Sequence, residues 1–177
     1  LILFSIVRTA SLQDLGLSPD DITTSGIFLL NMQMAGMLLG GILWGVFGDK
    51  KGRLKVLFGS IVLYSAANLA NAFVQDVPMY AVCRFMAGLG LAGELGAGIT
   101  LVAESMSKEQ RGLGTTLVAT VGVSGAIAAA MVGDLTTWRH AYMIAGVIGL
   151  LLLLMRASVR ESFIFKKAET DVKIKRG

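Results

Sequence analysis

The sequence predicts an all-α transmembrane fold of six helices, on three observations. Of 177 residues, 54% are hydrophobic and 16% charged, with a mean hydropathy of +0.70; a soluble domain carries about a quarter charged residues. The charges cluster, leaving apolar runs of roughly 20 residues, the length at which a helix crosses about 30 Å of hydrocarbon. Lysine and arginine also fall mainly on one side of the membrane once the helices alternate.

The spans follow in order. Residues 1–7 are the remnant of a first apolar helix, continuing at most to Leu15. The chain opens on Leu1, so this helix is expected to be truncated, and no signal peptide is legible. Ser18-Pro19-Asp20-Asp21 is a helix start: Ser18 caps, Pro19 fits the first turn, and two acids suit the positive end of the dipole. The second span covers 24–47, and 50–55 is a short basic loop. The third span covers 56–74, after which Asp76-Val77-Pro78 starts the next helix. The fourth covers 79–103 and ends in a polar turn at 105–111. The fifth covers 112–133 and the sixth 141–158. Residues 1–158 form one six-helix bundle, and 159–177 begin a charged cytoplasmic linker. The single cysteine, Cys83, lies in an apolar run and has no disulfide partner in the chain.

Thirteen of the 16 basic residues lie in the 2–3 turn, the 4–5 turn or at and beyond the end of the sixth span. The opposite side has Arg8 and Arg139, while Arg84 lies within a span. The positive-inside rule puts the 2–3 loop, the 4–5 loop and the tail in the cytoplasm. Membrane lipid headgroups account for these cations, so the net charge of +4 calls for no nucleic-acid partner.

"RFMAGLGLAGELGAG", residues 84–98, contains the spacing of a dinucleotide loop in Gly88, Gly90 and Gly93. Such a loop needs a strand before it and an acidic residue about 20 positions on. Here the glycines sit midway along an apolar span, where an open loop would leave backbone groups unpaired in hydrocarbon. No cofactor is expected. Small residues in a membrane helix instead let backbones approach closely. Gly36, Gly40, Gly41, Gly45 and Gly48 repeat the device in the second span, as do Gly122, Gly125, Ala126, Ala129 and Gly133 in the fifth.

Arg84 and Glu94 are ionisable residues inside a span, each costing about 2.5–3.5 kcal/mol on insertion scales, and such residues face a cavity or a partner. Ten residues apart, they are separated by about 15 Å of rise, too far for a direct ion pair. Glu94, near mid-span, is the candidate for proton exchange; its alternative is a structural hydrogen bond. Arg84, nearer the outer interface, is the second candidate, for biasing solute binding; its alternative is a stem that snorkels to the interface. Asn31 is a further candidate for the solute path, with Gln33, Asn68, Asn71 and Ser124 weaker ones. Trp44, Trp138 and Tyr142 read as interfacial aromatic anchors. No nucleophile–base pair or metal-ligand cluster is visible, so neither an enzyme nor a metal site is expected.

"GVFGDKKGRLK", residues 45–55, resembles the signature loop of the major facilitator superfamily. Gly45, Asp49, Lys50, Gly52 and Arg53 match, while Leu54 stands where a basic residue is usual. "CRFMAGLG" is similar to the family's fourth-helix pattern, often linked with proton coupling. "AGELGAG" with "VAESMSKEQRG", then "WRHAY" and "RESFIF", resemble the metabolite–proton symporter and sugar porter branches. The antiporter proline of the fifth helix is absent, which favours symport or facilitated uptake.

The resemblance implies the N-terminal half of a twelve-helix fold, each half built from inverted three-helix repeats, with solute bound between halves. It also implies a conformational latch of Gly45, Asp49, Lys50, Gly52, Arg53, Glu104 and Arg111, with Asp49 able to cap the third helix. The implied function is a secondary transporter in a bacterial inner membrane, moving a small polar metabolite, with protons, alongside a C-terminal six-helix half. The alternatives are a uniporter without proton coupling, a half-size protein that homodimerises into a transporter or channel, and, further off, an intramembrane enzyme or scaffold.

Overall fold

The computed structural model describes residues 2–107 and 110–155, apart from the side chains at 53, 97, 100–105 and 111. Six helices make up these residues: α1 Ile2–Asp14, α2 Pro19–Lys51, α3 Arg53–Asn71, α4 Val77–Ser105, α5 Arg111–Leu135 and α6 Trp138–Met155. Among the described residues, four helices are long and apolar enough to cross a membrane: α2, α3, α5 and α6. The expected linker at 159–177 lies outside the described residues.

Two of the helix starts expected from sequence form as side-chain caps. Ser18 Oγ accepts from the Asp21 amide at 3.3 Å, with Pro19 in the first turn. Asp76 Oδ1 accepts from the Met79 amide at 2.7 Å. Both satisfy a donor that the helix itself leaves unpaired. The α2–α3 junction differs from expectation. Asp49 lies inside α2 and caps nothing; the residue between the helices is Gly52, at φ 90°, with no side-chain cap on α3. That left-handed backbone turns α2 into α3 within a single residue, which accounts for glycine there.

The centre of the bundle is the contact of α2 with α4. The buried residues of α2 (Ile22, Gly26, Leu29, Gln33, Gly36 and Gly40) recur at three- and four-residue steps along one face. A Cβ at Gly36 would overlap the Phe85 carbonyl oxygen, and one at Gly40 would lie 2.6 Å from the Leu89 oxygen. From the other side, a Cβ at Gly88 would overlap the Gln33 carbonyl oxygen. The two backbones therefore touch directly.

Gly90 and Gly93 face α3 instead. A Cβ at Gly90 would meet the Tyr64 amide nitrogen at 2.6 Å, and one at Gly93 would meet Ser60 Cβ at 2.6 Å and the Trp44 ring at 2.7 Å. The dinucleotide-like spacing is thus a two-sided packing device, with Gly88 serving α2, Gly90 serving α3, and Gly93 meeting α3 and the Trp44 ring of α2. Trp44, read as an interfacial anchor, also packs against this seam and stays partly exposed. Its indole lies across Gly93 and donates to the Leu89 carbonyl at 2.7 Å.

The end of the bundle that carries Asp14 is stapled by Arg139. Its guanidinium donates to the Ala72 and Val74 carbonyls, at 2.9 and 3.1 Å, where α3 ends, and pairs with Asp14 at 3.4 Å. The ion pair is largely exposed and adds little, but the carbonyls are groups that a helix end leaves unsatisfied. Trp138 Nε1 also donates to Asp14, and the ring is buried against Tyr80 and Tyr142. Trp138 and Tyr142 are core residues, contrary to the interfacial role expected of them. The outer faces of α5 and α6 are apolar, with Leu117, Ile127, Leu135 and Leu154 exposed.

Alanine at Gly36 is expected to lower stability by about 1–3 kcal/mol, because backbone rather than a flexible side chain blocks its Cβ. Gly41 has open space around it, and alanine there should change stability by about 0.5 kcal/mol or less. Thermal unfolding of the two variants in detergent checks the contrast; equal midpoints would contradict the packing described.

Candidate functional site

The close approach of α2 and α4 brings Gln33 within reach of Arg84, while α3 supplies Asn68 and Asn71. Arg84 is 2% exposed, and it donates to Asn71 Oδ1 at 3.3 Å, Asn68 Oδ1 at 3.3 Å and Gln33 Oε1 at 3.5 Å. The two asparagines are oriented by their own helix. Each donates its amide NH2 four residues back, Asn68 to Tyr64 at 3.0 Å and Asn71 to Ala67 at 2.7 Å. That turns both acceptor oxygens toward the guanidinium.

Three aromatic rings complete the enclosure. The Arg84 guanidinium carbon lies 4.9 Å from the Tyr142 ring centroid, 5.3 Å from Phe4 and 5.8 Å from Tyr80. These distances suit cation–π attraction, which strengthens away from water. Among the described residues no carboxylate pairs with Arg84. The cation is held by amide dipoles and ring faces from α1, α2, α3, α4 and α6. Arg84 does not snorkel; it is closed off in the core.

A chain of hydroxyls runs beside it. Ser11 Oγ donates to the Arg8 carbonyl at 2.9 Å, so it accepts from Tyr80 OH at 3.2 Å, and Tyr80 accepts from Tyr142 OH at 2.7 Å. Each hydroxyl has one proton, and this order uses all three.

Glu94 occupies a different environment. It is half-buried and lies on the wall of a cavity of about 520 Å³ between α1, α3, α4, α5 and α6. Tyr64 and Ser65 share that wall, which is otherwise apolar. The Ser65 hydroxyl is buried without a hydrogen-bond partner among the described residues. Gly122 and Gly125 of α5 line the same cavity and touch no neighbour, so they do not pack helices as the sequence suggested. Gly133, lower on α5, does pack, against Ile6.

The other sequence candidates are dispersed. Asn31 is exposed on α2 and does not reach Arg84; Gln33 takes that place. The signal was available, since Gln33 falls on the stripe of Gly26, Gly36 and Gly40 while Asn31 points well away from it. Ser124 is exposed and bonds its own helix at Val121. Gly45, Asp49 and Lys50 are exposed at the Gly52 end of the bundle. The side chains of Arg53, Glu104 and Arg111 lie outside the described residues. The Tyr80–Tyr142 pair and Arg139 escaped the sequence reading, because hydroxyl and guanidinium partners came from helices distant in the chain.

The model of the Major Facilitator Superfamily matches residues 2–171. The 3-(3-hydroxy-phenyl)propionate transporter of Escherichia coli is 32% identical over 73% of this chain and 33% of its own length. The niacin transporter NiaP of Acinetobacter baylyi is 29% identical over 90% of this chain and 36% of its own. The chain thus spans about a third of the length of these curated relatives. In three dimensions it is similar to the xylose transporter XylE of E. coli in its inward-open conformation. The TM-score is 0.55 and the identity 18%, over 86% of this chain and 42% of that one.

Arg84→Lys removes the forked geometry that reaches three oxygens at once, and hydrogen bonds to charged groups contribute about 1.5–3 kcal/mol each. The variant is expected to lose about 3 kcal/mol of stability, and Tyr142→Phe about 1 kcal/mol. Thermal unfolding of purified protein checks both; an unchanged midpoint for Arg84→Lys would mean the enclosure contributes nothing.

Proposed function

Because this chain belongs to the major facilitator superfamily, a transporter family, we propose that it is the N-terminal half of a secondary transporter. It carries a small polar metabolite together with a proton, by alternating access between two six-helix halves. The observation that carries the reading is the division of labour between two intramembrane charges. Arg84 is enclosed in the core, whereas Glu94 is the charged side chain on the cavity wall.

A carboxyl group in that position can load a proton when the cavity faces one side and release it when it faces the other. Solute binding biases which state is reached, as differential affinity requires. The α2–α4 seam and the Arg84 enclosure keep this half a single body as it rocks. At the Gly52 end, Gly45, Asp49, Lys50, Gly52, Arg53, Glu104 and Arg111 latch one access state. That end faces the cytoplasm of a bacterial inner membrane, and 159–177 lead to the C-terminal half. Anionic lipids hold the basic loops at the surface.

The test uses the full-length protein in proteoliposomes containing a pH-sensitive dye. Organic acids, amino acids, sugars and polyols are added in turn to wild type and to Glu94→Gln. Solute-dependent proton entry is expected in wild type and absent in the variant. Solute uptake without proton entry, unchanged by the substitution, would make Glu94 structural and the protein a facilitator.

A further inference from the structure

Arg8 is a second arginine packed into the bundle, but only half-buried, and its surroundings are unlike those of Arg84. It lies six residues before the end of α1, about 9 Å of rise from the Asp14 end. Its stem crosses Gly26 of α2, where a Cβ would sit 2.6 Å from Arg8 Cδ and 3.1 Å from Nε. The glycine thus forms a slot that the Arg8 stem fills. The Arg8 Nε is buried without a hydrogen-bond partner among the described residues, and no carboxylate pairs with its guanidinium there. The side chain is half-buried, so part of the guanidinium remains open.

What it opens onto is polar. Ser5, Thr9 and Gln13 stand at four-residue steps along the exposed face of α1, beside Arg8, and Asn31 is exposed on α2. The exposed face of α5 has Leu113, Leu117, Val121, Ile127 and Met131 instead. The α5 face suits lipid, whereas a Ser–Thr–Gln row with an arginine alongside suits an aqueous path. A cation fixed by packing with donors still unused is a recognition point for an anion, since an arginine fork matches a carboxylate.

We propose that Arg8 is the anion-recognition residue of this half and that the transported solute bears a carboxylate. The inference rests on the transporter reading and narrows its solute. Niacin and 3-(3-hydroxyphenyl)propionate, which name two relatives, each bear one carboxyl group. Ile2, on the cavity wall with Glu94, lies six residues from Arg8 on the same helix. Anion and proton therefore bind at separate levels, so a negatively charged solute need not displace the coupling carboxylate.

The experiment compares each acid with its amide, which keeps the ring and removes the charge. Uptake of nicotinate, nicotinamide, 3-(3-hydroxyphenyl)propionate and its amide is measured with full-length protein in proteoliposomes. Arg8→Gln is expected to raise the KM of any transported acid by about 10- to 100-fold, the effect of losing a charged hydrogen bond, and to leave the amides unchanged. Arg8→Lys keeps the charge and should retain part of the acid uptake, which decides the matter if Arg8→Gln does not fold. Gly26→Leu, which displaces the side chain, should behave as Arg8→Gln. Equal loss for acids and amides would mean that Arg8 pairs with a carboxylate of the second half, and would overturn the inference. So would an unchanged acid KM. Wild-type uptake of uncharged solutes alone overturns this inference and leaves transport standing; failure to move any solute in the wider panel above removes both.

Discussion

The contact of two helix backbones, α2 against α4, is the constraint on which the rest of this structure depends. In lipid, apolar side chains gain little from one another that lipid does not also offer. Helices associate where surfaces meet closely enough for dispersion and hydrogen bonds to accumulate. Gly36 and Gly40 on α2, with Gly88 on α4, remove the side chains that would hold the axes apart. That approach puts Gln33 beside Arg84, and the second pair of α4 glycines brings in α3 with its two asparagines. A buried cation without a paired carboxylate is affordable only where several dipoles converge, and here packing sets the convergence.

The same economy of side chains has the opposite effect around α5. Gly122, Gly125, Ala126 and Ala129 face the cavity rather than a neighbouring backbone, and the space they leave holds Glu94 on its wall. The bundle thus combines a tight seam with an open region. In the proposed cycle the seam is the part that does not change, and the open region is where a proton and a solute meet protein. Arg139 fastens the Asp14 end, joining the ends of α1, α3 and α6 through carbonyls that would otherwise lack donors.

The helices were legible because apolar length, capping residues and charge clusters are local signals. Ser18 and Asp76 show this most directly, since each cap lies within three residues of the amide that donates to it. Glycine spacing was legible as packing, but not which neighbour each glycine served. Gly88 and Gly90 face different helices, and Gly122 faces a cavity. For Arg84 the snorkelling alternative was the part that failed. Its depth in the span suggested an interface, whereas three amides and three rings enclose it, all but Tyr80 from other helices. Nothing within a few residues of Arg84 announces Gln33 or Tyr142. Trp138 and Tyr142 misled for the same reason, since an amphipathic ring suits an interface and a core donor site equally well.

The central claim, that α2 and α4 form one rigid pair while solute is moved, can be tested by distance measurement. Spin labels would be placed at Leu38 and Leu95, both exposed, with Cys83 replaced by alanine in the full-length protein in lipid. Under conditions in which the labelled protein takes up solute, the interlabel distance should hold to about 1 Å with and without it. A solute-dependent second population displaced by more than about 2 Å would contradict the account, because the seam would then be opening during transport.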